Sequence, residues 1–177
     1  MGRDEPRVYL EPPSARRALE FLNCVRKSQR LHRPWVKAPQ TREAYLAFLK
    51  RSRHERQASY FVCSSATDEL VGVINLNEIV RGLFQSAYAG YYAFAPHAGA
   101  GNMAAGLALV LNEAFGPLGL HRVEANVQPK NESSRRLVAG LGFRLEGLSA
   151  RYLKIGGRWC DHERWAMLAE DWQKRRK

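Results

Sequence analysis

The stretch that decides the fold is AGYYAFAP at residues 89–96, followed by HAGAGN at 97–102 and MAAGLALVLNEAF at 103–115. An extended apolar segment enters a loop with two glycines, and the loop enters a helix that is apolar on nearly every face, with no acid before Glu113. Such a helix belongs against a sheet. Its start is the chemically informative end. Gly99 and Gly101 flank Ala100 there, where missing Cβ atoms let unpaired backbone N–H groups approach an anion that the helix dipole also favours. The arrangement suits a pyrophosphate.

Two kinds of fold use such a loop. Read loosely, Gly99-x-Gly101-x-x-Ala104 with Glu124 about twenty residues on fits a relaxed dinucleotide-binding fingerprint, in which an acid holds a ribose. The surroundings argue against it. A ribose-binding acid ends its strand, whereas HRVEANVQP at 121–129 continues its extended pattern through Ala125, Asn126 and Val127. Downstream there are no repeated strand-helix units, only two extended segments that read as a hairpin, SARYLKIG and RWCDHERWAML.

The pattern is similar to that of the GNAT acetyltransferases, and within them to the ribosomal-protein-alanine (Rim-type) N-acetyltransferases. The residues that carry the likeness are Ala98-Gly99-Ala100-Gly101-Asn102-Met103, Asn131-x-x-Ser134, Leu141-Gly142-Phe143, Glu146-Gly147 and YLKIGGRWCDHERWAML, with LHRPWV and GVINLNEIVRG upstream. The resemblance covers nearly the whole chain. It implies an α/β fold with a mixed, mostly antiparallel sheet of about seven strands, two of them splayed, flanked by about four helices. It also implies acetyl-CoA as co-substrate, no metal, and direct attack by an amine, with an N-terminal α-amino group of a ribosomal protein as the expected acceptor.

By the same resemblance, Ala98 to Met103 bind the pyrophosphate, backbone groups near Tyr92 and Phe94 bond the pantetheine arm, and Asn131 and Ser134 lie near the thiol. Trp35, Asn75 and Tyr91 are implied on the acceptor side. The chain departs from the family pattern in three places. Where some members carry a catalytic glutamate stands Asn126, leaving Glu124, on the same strand face, to act through a water with help from Asn126. Where many carry a tyrosine acid stands Val138, which makes Ser134 the donor to the departing thiolate. Ala98 and Ala100 replace polar or basic side chains, so the anion is left to backbone donors. An α-amino group titrates near 7.7 to 8.0 and lysine near 10.4, so freeing an N-terminus of its proton at neutral pH costs about 3 to 4 kcal/mol less, and a strong base is not essential.

The bulk properties agree. With 177 residues and 45% hydrophobic content, the chain is expected to form a single domain over 1–177 with a basic tail at 170–177. The first ten residues hold Arg3, Asp4, Glu5 and Arg7 rather than a signal-peptide pattern, so a cytoplasmic protein with no membrane contact is expected. Cys24, Cys63 and Cys160 show no paired metal or redox spacing, and Cys63, in the apolar run YFVC, reads as a packing residue. A net charge of +11, concentrated in RKSQRLHRPWVK, KRSRHER and QKRRK, would attract a polyanion such as ribosomal RNA, or simply solvate one face. Two other functions remain compatible: acetylation of a small-molecule amine, and a non-catalytic RNA- or ribosome-binding module on the same fold.

Taken in order, RVYLEP at 7–12 reads as a first strand, and Ser14 caps a helix to about Arg30. The Pro34 and Pro39 segment reads as a loop carrying Trp35, which either pins that loop or overhangs the acceptor site. Thr41 caps a second helix to His54, and three antiparallel strands follow: SYFVCSS, LVGVINLNEI and QSAYAGYYAFAP. Tyr91 and Tyr92 point to opposite faces. Asn131 opens the last expected helix, which Gly142 stops.

Overall fold

Residues 7–175 are described by a computed structural model; the charged start at Arg3 to Glu5 and the last two residues of the basic C-terminal stretch lie outside them. Seven strands form one sheet: β1 (Val8–Glu11), β2 (Ala58–Ser64), β3 (Leu70–Val80), β4 (Ser86–Ala93), β5 (Arg122–Val127), β6 (Arg144–Ile155) and β7 (Arg158–Leu168). Their order is β1-β2-β3-β4-β5-β7-β6. Every neighbouring pair is antiparallel except β4 and β5, which run parallel.

Helices cover both faces because the central strands are apolar on both. On one face α4 (Asn102–Phe115) and α5 (Glu132–Leu141) bury Leu107, Val110, Leu111 and Val138 against Val62, Ile74, Val123 and Val127. Gly106 lets α4 sit close to the sheet, since a Cβ there would meet Val62 Cγ2 at 2.7 Å. On the other face α1 (Ala18–Lys27) and α3 (Arg42–Arg51) bring Phe21, Tyr45 and Phe48 onto Phe61, Val73 and Phe94. The Phe21 ring lies 4.7 Å from Tyr45 and 5.6 Å, edge-on, from Phe94, an offset geometry aromatic pairs prefer.

The N-terminal helix differs from its expectation. A single helix capped by Ser14 is replaced by a 3₁₀ turn (Ala15–Arg17), α1, and a short α2 (Gln29–His32). Ser14 makes no side-chain cap bond; its carbonyl instead accepts the Tyr45 hydroxyl at 2.6 Å. The break at Ser28 has a use, because its hydroxyl accepts from Ala95 N at 3.0 Å and so ties the α1–α2 junction to the end of β4. Thr41 does cap α3, accepting from Ala44 N at 3.2 Å. The C-terminal stretch expected to be a basic tail is a helix where it is described, α6 (Ala169–Arg175). Buried Trp172 anchors it, donating from Nε1 to Asn112 Oδ1 of α4 at 2.9 Å. That makes six α helices rather than about four among the described residues. No described helix is long and apolar enough to cross a membrane.

The feature that positions the site is a fork. Pairing between β4 and β5 runs from Ser86↔Arg122 to Ala89↔Ala125 and stops, although β4 continues to Ala93 and β5 to Val127. Phe94 N donates to Val71 O at 2.7 Å, which keeps the end of β4 on β3 as β5 departs.

Candidate active site

The fork opens into a cavity of about 730 Å³ lined from both sides of the sheet, within the range of small-ligand pockets. At one end of it stands the N-terminus of α4. Gly99 and Gly101 both have φ of 79°, the left-handed region that residues with a Cβ enter at a cost. Nothing lies within 4 Å of where either Cβ would be, and no side chain caps the helix. The first amides of α4 therefore point into open space with the positive end of the helix dipole behind them, which fits a pyrophosphate. Ala98, Gly99, Gly101 and Met103 line the cavity; Ala100 and Asn102 complete the turn around them.

The strand register decides which backbone groups of β4 face the gap, where a pantetheine arm is expected to bond near Tyr92 and Phe94. Phe94 pairs with Val71 through its amide, and alternation along β4 then turns the backbone groups of Tyr92 toward β3 as well. The backbone groups that face the gap are those of Tyr91 and Ala93, one residue earlier than expected. Ala93 O accepts from His32 Nε2 at 2.8 Å, so α2 holds this edge in place. Phe94 itself is fully buried in the aromatic cluster.

Asn131 is the N-cap of α5, its side chain accepting from Ser134 N at 3.2 Å, and it lines the cavity. Ser134 lines the cavity beside Tyr91, with Tyr91 Oη and Ser134 Oγ 2.6 Å apart. Tyr91, expected on the acceptor side, is thus on the α5 side of the sheet, beside Ser134. Burial pushes its phenol up to about 12. Val138 is fully buried in the core, and Gly142 ends α5 at φ of 88°.

On the opposite side, Trp35 from the loop after α2, Tyr92, Asn126 and Gln128 line the cavity, together with His32 and His162, which sequence reasoning did not single out. Both histidines are buried. His162 Nδ1 donates to Cys160 O at 2.9 Å, and His32 Nε2 donates to Ala93 O, because a carbonyl only accepts. Burial pushes the His32 imidazole down.

Glu124 falls elsewhere. It is absent from the cavity lining, sits opposite Tyr88 where β4 and β5 are still paired, and accepts from Arg122 Nε at 2.9 Å. Arg122 is shared with Glu146, whose carboxyl it holds below the usual range. This carboxylate is an ion-pair partner below the fork. Asn75 also lies outside the lining, one strand away, in a row that crosses the sheet: Ser59 opposite Asn75, Asn75 opposite Gly90, and across the gap Asn126 opposite Arg164. Ser59 Oγ, Asn75 Oδ1, Asn126 Oδ1 and Arg164 Nε are all buried with no hydrogen-bond partner among the described residues.

A parallel strand pair that parts over a glycine-rich helix N-terminus, with Asn131 and Ser134 at the fork, defines an acyl-coenzyme-binding fold, and residues 7–144 match the family model described as an acetyltransferase (GNAT) domain. The chain belongs to that family and is an acetyl-CoA-dependent N-acetyltransferase. It is 35% identical over 130 residues to the probable N-acetyltransferase YjcK of Bacillus subtilis, covering 73% of this chain and 72% of that protein. It is 34% identical over 131 residues to the [ribosomal protein uS5]-alanine N-acetyltransferase of Escherichia coli, covering 73% and 68%. Among solved structures, Mycobacterium smegmatis RimJ in complex with CoA-disulfide superposes with a TM-score of 0.85 at 30% identity, over 93% of this chain and 83% of that one. A spermidine N-acetyltransferase from Vibrio cholerae in complex with CoA and spermine shares the fold, with a TM-score of 0.79 at 21% identity, over 96% and 99%.

Proposed function

We propose that the acceptor is the N-terminal α-amino group of a protein, a ribosomal protein by likeness to the uS5-alanine enzyme. The observation that carries this reading is the charge of the cavity wall. Its described lining includes no aspartate or glutamate, and its cations are Arg136 and any histidine that is protonated. A polyamine with several positive charges would enter a chain of net charge +11 without a carboxylate to receive it, an arrangement that costs affinity and on-rate. A single α-amine that is substantially neutral near pH 8 needs no such partner. The basic surface outside the cavity would favour approach to a polyanionic particle such as the ribosome.

In the reaction, backbone amides of Gly101 to Met103 hold the pyrophosphate, and the edge of β4 that β5 leaves unpaired, at Tyr91 and the Ala93 amide, aligns the pantetheine arm. The acceptor reaches the fork past Trp35 and Asn126. Its nitrogen lone pair attacks the acetyl carbon, the C–S bond breaks, and Ser134 donates a hydrogen bond to the sulfur as charge gathers there. Ser134→Ala should lower kcat about ten- to a thousandfold and leave KM for acetyl-CoA nearly unchanged. The acceptor is tested with three substrates: an unblocked peptide without lysine, a blocked peptide with an internal lysine, and spermidine. The unblocked peptide should turn over fastest; equal or faster acetylation of either alternative would overturn the reading. Mass spectrometry of ribosomal proteins from cells with and without the protein then identifies the target.

A further inference from the structure

Two hydroxyls, Tyr91 Oη and Ser134 Oγ, lie 2.6 Å apart on the α5 side of the fork. Each brings one proton, and only one can lie between them. Neither hydroxyl has another hydrogen-bond partner among the described residues. A phenol is a stronger acid than an aliphatic alcohol, which makes Tyr91 the better donor of the pair and the serine oxygen the better acceptor. That favours a bond from Tyr91 to Ser134, which leaves the serine's own hydrogen free to turn toward the cavity that both residues line.

Resting on the acetyl-transfer mechanism above, we propose that Tyr91 is a positioning residue for the reaction: by donating to Ser134 it aims the serine hydroxyl at the thioester sulfur and strengthens that hydrogen bond from behind. Val138, one turn further along α5, is a fully buried core residue and offers no proton. Here a phenol serves the leaving group from β4, through one intervening hydroxyl. Cooperative polarisation along a two-bond chain makes the second donor useful even though it does not touch the sulfur.

Magnitudes decide whether a proton moves along the chain. Burial holds the phenol's pKa above its ordinary value, which already lies above that of a free thiol, so handing the phenol proton to the thiolate is uphill. The phenol keeps its proton. The nitrogen lone pair forms the C–N bond, the C–S electron pair goes to sulfur, the nitrogen sheds one proton to solvent, and the thiolate departs hydrogen-bonded to Ser134, to be protonated by solvent afterwards.

The test is a double-mutant cycle of Tyr91→Phe and Ser134→Ala, assayed with whichever amine turns over fastest, so that a wrong acceptor assignment cannot mask the result. Tyr91→Phe keeps the ring and its packing; calorimetric acetyl-CoA binding and Tm report that the fold is intact. Tyr91→Phe alone should lower kcat about tenfold, as for loss of one hydrogen bond in a charged network, with KM for acetyl-CoA changed less than about twofold. In the Ser134→Ala background the same change should have no further effect. An equal loss in both backgrounds, or an unchanged kcat in Tyr91→Phe, would overturn the proposal.

Discussion

The two faces of the fork are built on opposite plans. On the face covered by α4 and α5 the polar side chains are paired: Asn131 with the Ser134 amide, Ser134 with Tyr91, and Glu163 with both Arg135 and Trp165, the last two at 3.0 Å each. On the opposite face a row of buried polar atoms on Ser59, Asn75, Asn126 and Arg164 has no protein partner among the described residues, and of the four only Asn126 lines the cavity. A buried polar atom left unpaired costs about 1 to 3 kcal/mol, so such a line is expensive unless something that binds there repays it. The contrast is between a face whose polar side chains are paired within the protein and one on which a single unpaired oxygen, that of Asn126, stays open to a ligand in the cavity.

The largest expected effect breaks the paired face. Gly101→Glu places a carboxylate where the pyrophosphate belongs and forces a side chain onto a backbone φ of 79°. Like charges about 4 Å apart near a protein surface repel by up to about 4 kcal/mol, so calorimetry should show acetyl-CoA affinity reduced about a hundredfold or more. Gly101→Ala separates the two causes: it should lower Tm by the strain alone, and if it weakens binding as much as glutamate does, charge is not the reason. On the open face, Asn126→Leu tests whether the unpaired oxygen serves the acceptor. If it does, kcat/KM for the peptide falls about tenfold while acetyl-CoA affinity stays constant. A variant that is more stable and equally active would show that the row is only an internal cost.

The same contrast explains what was legible in the sequence. The paired face is written in local signals: a glycine pair before an apolar helix, an asparagine at an N-cap, a glycine at a helix stop. Each acts within a few residues, so Gly99, Gly101, Asn131 and Gly142 all fall where expected. Features set by strand partners were harder. Alternation puts Tyr91 and Tyr92 on opposite faces without saying which face is which, and the register to β3 decides that Tyr91 meets Ser134. The phase of the β4 amides depends on the Phe94 to Val71 bond, which joins residues far apart in sequence. Ser14 was misread because the chain enters a 3₁₀ turn there. The Glu124 pairing has a local signal in the sequence: Arg122 stands two residues before it, on the same strand face, where a salt bridge between them is the simplest outcome.

That salt bridge sets the next expectation. Because Glu124 is held by Arg122 where the strands remain paired, Glu124→Gln should change kcat by no more than about threefold at any pH between 6.5 and 9, the scale of a partly exposed ion pair rather than of a general base. A loss of a hundredfold that fades above the amine's pKa would place a proton-accepting role back on this carboxylate, and with it part of the acceptor chemistry below the fork.

The smallest effect concerns His32, which ties α2 to the open edge of β4. Burial lowers its pKa from the ordinary value of 6.5, so the unfolded chain binds a proton that the folded chain refuses in the window just below 6.5. Stability therefore falls as pH drops through that window, and the loss is complete once pH is below the lowered folded value. Carboxylates such as Glu11, held down by Arg17, keep their contribution until pH falls further, below their ordinary value of 4.5. The two effects separate on the pH axis. Thermal melts of the wild type between pH 7.5 and 5 should show a decline of no more than a few degrees, and His32→Gln, which keeps a donor for Ala93 O, should flatten that part of the curve while leaving the steeper acid limb in place. If the glutamine variant declines in parallel with the wild type, the imidazole does not titrate in folding, and the edge of β4 is held independently of pH.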